Sequence, residues 1–475
     1  MATIQEIIRK DRNPDEIVSE LKDKAINVPV WNTLGSKKGL VTEYDPKKHP
    51  VMNKAIYPDK VIGGTVDADG NRVGGSIDYV TRITYNLQQL AVKRMTELCC
   101  GVPVKRVYSP EDDRQKEVSR YLERIYQCNR IDSVNTERLT MLFAGCEVLT
   151  LWYAVEESHK RYGFDSWLKL RCKNFSPMQG DMLYPLFDEM GDMIALSIGY
   201  RRKVGNVTVN FFDSYTADAH YKWSDDGKGG WKLVEEDDIK KIGKIPAIYM
   251  YRPTPIWEDT SKIVYEMEWA MSRNGNYLRK NSKPLFCVFA DQEIEFGNEK
   301  DDDDKSILQY PAGSNAGYVT WTQAVENLKF HITELRQSFF TQLQLPDWSY
   351  ESMKTTPMSG EARKQLFIDA QLKVKDESGR LLEFFDREMN VVKAFLKICL
   401  GDAYADAIDA LPVENQITPF TISEEKDTIS NLLMANGNKP LMSQREAIEQ
   451  LGWSEDVDKT MQEIADEGMN DVFAE

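Results

Sequence analysis

The side chains of this chain best suited to chemistry are carboxylates, which gather in three places. Asp67 and Asp69 lie between glycines, Glu235 to Asp238 form a run, and Asp301 to Asp304 follow Glu293, Glu295 and Glu299. Grouped carboxylates can ligate hard cations or carry acid–base steps. In the first group Gly70 follows the second aspartate directly and no glutamate occupies the twelfth position of a calcium loop, so Gly63 to Gly75 reads as a hairpin turn. The second group reads as a solvated turn and the third as a solvated mobile loop, because a chain with 76 acidic residues is expected to contain such runs. A metal or a basic partner is the alternative for the third. His49, His159, His220 and His331 are widely spaced and form no H-E-x-x-H. The seven cysteines, Cys99, Cys100, Cys128, Cys146, Cys172, Cys287 and Cys399, show no zinc spacing and read as reduced thiols. With neither a G-x-x-x-x-G-K-[ST] phosphate loop nor a G-x-S-x-G elbow in the chain, no catalytic residue, metal site or cofactor is expected.

Composition narrows the class further. An apolar share of 41% with 29% charge fits soluble globular domains, and 475 residues allow two to four of them. The 60 basic residues against 76 acidic give −16, which disfavours a general nucleic-acid binder. The opening MATIQEIIRKDRNPDE has no apolar core of a signal peptide, and the nearly apolar run from Leu139 to Val155 is short and contains Glu147. It reads as a buried helix passing into a strand, so no membrane contact is expected.

The elements that must position any site are mostly helices. Residues 1–50 read as a short helix around Ile4, Ile7, Ile8, Ile17 and Leu21, then a loose segment, together an adaptable surface arm. Apolar spacing predicts helices over Tyr79 to Leu98, Glu111 to Gln127 and Thr136 to Ala144, with a break at Asn129 to Asp132. A strand over Val148 to Val155 opens a β region at 167–255, with a hairpin of Met193 to Arg202 and Asn206 to Tyr215 over Val204-Gly205. A helix spans Thr260 to Asn281 and a β run Leu285 to Ala290. Val325, Leu328, Ile332, Leu335, Phe339 and Leu343 then stripe a helix that Pro346 closes. After a break carrying Trp348, Tyr350, Met353, Lys354 and Thr355, Ser359 and Glu361 open a helix of about 60 Å that runs to Leu400, with Gly379 as a candidate kink. A short helix over Ala403 to Leu411, a strand over Gln416 to Ile422, and helices at Asp427 to Ala435, Ser443 to Leu451 and Asp456 to Met469 complete the chain.

The helix–loop–helix at 322–400, with SGEA opening its second helix, resembles the tunnel loop and supporting helices of tailed-phage portal proteins. Asn86 with Gly101, Pro103 and Val104, the strand led by Ile245-Pro246, and the order of the C-terminal elements match the same family pattern over roughly residues 75–470. The resemblance implies an α+β, mainly helical portal fold assembled as a ring. Its parts would be an N-terminal arm (1–50), wing (51–257), stem helix (258–283), clip (284–321), second stem helix (322–345), tunnel loop (346–358), long kinked wing helix (359–400) and crown (401–475). It further implies a non-enzymatic homo-dodecamer at one capsid vertex of the virion, assembled in the bacterial cytoplasm. Double-stranded DNA would pass through it without sequence readout. The partners implied are the major capsid protein, scaffold, large terminase and a head–tail adaptor. Trp348, Tyr350, Met353, Lys354 and Thr355 would line the channel; Met267, Met271, Arg273, Leu335 and Phe339 would make stem contacts between copies. A connector of another assembly and a metal-dependent hydrolase are the alternatives.

Overall fold

The computed structural model describes residues 4–26, 51–66, 72–281, 285–289, 315–319, 325–347, 367–419, 443, 445 and 459–464. The chain falls into two units. One comprises Met1–Pro346 with Asp369–Phe420, the other Asp347–Ile368 with Thr421–Glu475, and almost all described residues belong to the first.

Two short helices, α1 (Ile4–Ile7) and α2 (Pro14–Asp23), open the chain. Asn13 caps α2 by accepting the Asp15 amide, with Pro14 at the first helical position where its missing N–H costs nothing. A two-strand hairpin follows, β1 (Lys60–Ile62) against β4 (Ser76–Asp78), with β2 (Thr65–Val66) and β3 (Arg72–Val73) continuing it toward the tip. Helix α3 (Leu87–Cys100), strand β5 (Lys105–Tyr108), α4 (Asp113–Cys128) and α5 (Ile131–Gly145) come next. The break between α4 and α5 is confined to Asn129 and Arg130, the latter left-handed at φ 51°.

Strand β6 (Glu147–His159) lies between β7 (Ser166–Phe175) and β13 (Ala247–Tyr251) in a three-stranded antiparallel sheet. Between β7 and β13 in sequence, β8 (Met182–Phe187), β9 (Met193–Val204), β10 (Val207–Tyr215), β11 (Ala219–Asp225) and β12 (Lys232–Asp238) form an antiparallel meander. The expected hairpin over residue 205 is present, and Gly205 takes φ 61°, a conformation that favours glycine. Strand alternation gives β8 and β9 two faces. Leu183, Leu196 and Ile198 pack with Leu149, Leu151, Phe175 and Tyr249 of the three-stranded sheet. On the opposite face Leu186 and Ala195, with Phe212 and Trp223, pack against Ile7, Ile17, Val18 and Leu21.

That second core corrects the expectation of an adaptable N-terminal arm for residues 4–26. Their apolar stripe is buried on the meander, the Trp231 amide donates to Asp15 Oδ1 at 2.8 Å, and the Lys22 ammonium sits 4.8 Å from the Trp231 ring centre. Residues 27–50 lie outside the described residues.

The rest of the first unit is α6 (Ser261–Asn281), the hairpin β14 (Leu285–Phe289) with β15 (Asn315–Val319), α7 (Val325–Leu343), α8 (Ile368–Leu400), α9 (Ala405–Ala410) and β16 (Val413–Gln416). Helix α6 packs on α7, and β16 pairs with β5. Three further expectations are corrected. Glu235 to Asp238 are strand rather than turn, because Lys222 and His220 on β11 face Glu235 and Asp237 across the ladder. The C-terminal strand spans 413–416, where its four-residue partner β5 ends, and 417–419 of the expected 416–422 are not strand, while 420–422 lie outside the described residues. The helix expected from Tyr79 begins at Leu87. Helix α8 continues through Gly379, while 359–366, 427–435 and most of the two later helices lie outside the described residues. Within the last of them, 459–464 is helical.

Candidate functional site

The segment 80–86 is not helical, and α6 supplies its backbone with partners. Ser272 Oγ accepts the Ile83 amide at 2.8 Å and Glu268 Oε1 accepts the Tyr85 amide at 2.6 Å, and both side chains are fully buried. A helical 80–86 would leave those two groups buried without these bonds, which costs more than the helix returns. On the same helix Gly275 lets the strap approach, since a Cβ there would stand 3.0 Å from Thr81.

Helix α7 ends in a six-residue closure. Gln344 is left-handed at φ 54°, its amide donates to Thr341 O and the Leu345 amide to Phe340 O, each at 3.1 Å, while Phe340 and Leu345 are buried together at the turn. The helix therefore stops at Leu343 by its own backbone geometry, three residues before the expected Pro346. Two cations from other helices fix this end. Arg94 of α3, buried and 4.7 Å from the Phe340 ring centre, donates to Pro346 O at 2.8 Å. Lys373 of α8 donates to Leu343 O at 2.6 Å, and its burial lowers its pKa. Cations at a helix C-terminus also meet the negative end of its dipole. The chain thus enters the stretch after Pro346 from a fixed root.

Gln344→Gly is expected to stabilise the protein by about 0.5–1 kcal/mol, the relieved left-handed penalty less the added freedom of the unfolded chain. Urea unfolding of the two proteins measures it; equal midpoints would show that Gln344 is not strained.

Trp348, Tyr350, Met353, Lys354 and Thr355 lie outside the described residues. Of the five expected stem contacts, Met267 and Phe339 are buried within the protomer at 3% and 0% exposure, and Met271 and Leu335 are half-buried. Arg273 is exposed, with its guanidinium 5.6 Å from the Trp269 ring centre. Among the described residues, Phe330 of α7 and Leu278 of α6 are the large apolar side chains that these two helices expose. Arg94, Glu268, Ser272 and Lys373 were not singled out by sequence reasoning. A signal existed for two: Glu268 and Ser272 follow Val264 at four-residue steps, so polar groups recur on an apolar face.

Behind the root, α8 is held to α5 and β6 by a buried ion pair. Arg138 binds both Glu388 oxygens, at 2.7 and 2.9 Å, Trp152 Nε1 donates to Glu388 at 3.0 Å, and the guanidinium lies over Phe384 and Phe385. Among the described residues no group of three or more His, Cys, Asp or Glu side chains is placed to hold a metal ion, and no helix is long and apolar enough to cross a membrane. What this arrangement does is position backbone.

A family model described as phage portal protein, SPP1 Gp6-like, matches residues 79–472. The chain belongs to this family of phage portal proteins. Comparison with curated proteins finds no match. Among solved structures, the neck of an empty gene transfer agent particle, computed with C6 symmetry, is similar at 11% identity and TM-score 0.37. The virion of the native particle gives 10% and 0.36, and the native neck computed with C12 symmetry 11% and 0.38. Each alignment covers 77% of this chain and 89% of the other.

Proposed function

We propose that about twelve copies of this chain close into a ring at one capsid vertex and that double-stranded DNA passes through the channel, inward in packaging and outward in ejection. The family match over residues 79–472 carries this reading. The ring would be a conduit without catalytic activity, docking large terminase and a head–tail adaptor at its outer end and meeting capsid and scaffold proteins at its rim. In it α6 and α7 form the stem and residues 346–358 the constriction, on the root that Arg94 and Lys373 fix. Charge supports a conduit: twelve copies at −16 total about −192, so a duplex is held weakly, because phosphate neutralisation needs clustered Lys and Arg.

Native mass spectrometry with negative-stain imaging tests it. A closed ring of about twelve copies with a central hole is expected; a monomer or dimer over a wide concentration range would overturn the ring. Lys354→Ala is expected to leave ring mass unchanged while particles retain less DNA, and normal DNA content in such particles would remove Lys354 from the channel.

A further inference from the structure

We propose that the β1–β4 hairpin is an intersubunit arm whose apolar face seats on a second copy of this chain. The hairpin is a sheet of its own, with no third strand beside β1 or β4 among the described residues, and a two-stranded ribbon is marginal in water when nothing covers it. Val61 stands opposite Ile77, so their side chains share one face, which Tyr79 continues two residues on. They are 40%, 54% and 61% exposed; Ile62 on the other face and Ile56 before the strand are 56% and 55% exposed. Single exposed apolar residues need no explanation, but the three that share one face of this small element form an apolar strip of roughly 300 Å², at the lower end of the size at which such patches on monomers mark contact sites.

The arm has a stiff root. Asp59 Oδ1 accepts from Arg82 Nη1 at 2.6 Å and from the Val80 amide at 3.2 Å, and Arg82 Nη2 donates to Tyr57 O at 2.8 Å. Arg279 of α6 donates to Asp78 at 2.8 Å, and the Tyr57 ring packs on Trp269 of α6 with centres 5.1 Å apart. Both root carboxylates are thereby neutralised within the protomer, so beside the exposed Lys60 at its base what the arm offers a partner is apolar area. A root fixed in this way also removes ordering entropy from the cost of binding.

Area and position select the occupant. A stable interface takes about 800 Å² from each partner, more than twice what the strip supplies, so the arm must extend a contact that lies beside it. Beside it is α6, where Leu278, 52% exposed, adjoins the Arg279 that holds the root. Ring closure is head to tail, each copy presenting one surface and receiving another, and a projecting arm rooted on a stem helix meets that need. The inference rests on the ring reading above.

The test uses the full chain. Val61→Thr with Ile77→Thr keeps β-branched side chains at both positions while removing apolar area. Native mass spectrometry over a dilution series is expected to show half-assembly of this double variant at a concentration at least about tenfold higher than wild type. In parallel, Tyr79 is replaced by photoreactive p-benzoylphenylalanine and isotopically heavy and light chains are mixed; crosslinks between heavy and light chains are expected. Rings that form at the wild-type concentration, with crosslinks only inside one chain, would overturn the arm and leave the ring standing. A wild-type chain that forms no ring would overturn both.

Discussion

Glu388→Ala is expected to destabilise the protein by about 3–5 kcal/mol, because it strands the Arg138 guanidinium in a site with no other carboxylate bound to it. The side chains of the pair are 1% and 2% exposed, so water cannot take over the lost contact. Burial alone works against the Arg138 charge, and Glu388 more than offsets it, since the pKa of Arg138 is raised overall. The same substitution removes the acceptor of the Trp152 indole N–H and leaves a second buried donor open. A double replacement, Arg138→Met with Glu388→Leu, is expected to recover most of the loss, because burying two ions costs desolvation that two apolar side chains do not incur. Urea unfolding of the three proteins separates these effects. A loss below about 1 kcal/mol for Glu388→Ala would mean that the site admits water or relaxes, and the ion pair would then not be what holds α8 to α5 and β6. The functional stake is α8, whose Lys373 fixes the end of α7.

Helix and strand positions decided by local signals were legible in the sequence. The 205 hairpin needed its glycine and flanking alternation, and α6 needed its apolar spacing; both elements fall within a residue or two of expectation. Where a distant partner decides, the sequence misled. The start of α3 was displaced by Ser272 and Glu268, which lie more than 180 positions along the chain from Ile83 and Tyr85. Ile7, Ile17, Val18 and Leu21 were visible as a stripe, but nothing near them named Phe212 and Trp223 as the surface they cover. Acidic composition made 235–238 resemble a turn, yet an edge strand tolerates a charged, exposed row and gains from it by repelling unwanted pairing. Met267 and Phe339 teach a further limit: periodicity identifies the apolar face of a helix, and only packing says whether its own chain has already covered that face.

Glu147→Gln is expected to be more stable than wild type at pH 8 by up to about 3 kcal/mol, and equal to it near pH 4.5. Glu147 begins β6, is 4% exposed, and accepts the Tyr249 phenol at 2.6 Å. Burial pushes its carboxyl up to about 7 from an ordinary 4.5, and the Tyr249 hydrogen bond, which favours the anion, reverses only part of that. The sign follows from proton uptake. Between pH 4.5 and 7 the folded protein binds the Glu147 proton and the unfolded chain releases it, so this group stabilises the fold fully below about 4.5, and the contribution disappears as pH rises through about 7. The distance from 4.5 to about 7, at about 1.36 kcal/mol for each tenfold change in proton affinity, gives the magnitude. Glutamine keeps an acceptor for Tyr249 and has no charge to desolvate. Asp59, held down to about 2 first by the Arg82 hydrogen bond, moves stability the opposite way at lower pH, but it is common to both proteins and cancels in the difference. Urea unfolding of both proteins at pH 5 and pH 8 is the measurement. A variant that is weaker by the same amount at both values would show that Glu147 is ionised in the fold throughout, held by Tyr249 more strongly than burial opposes it.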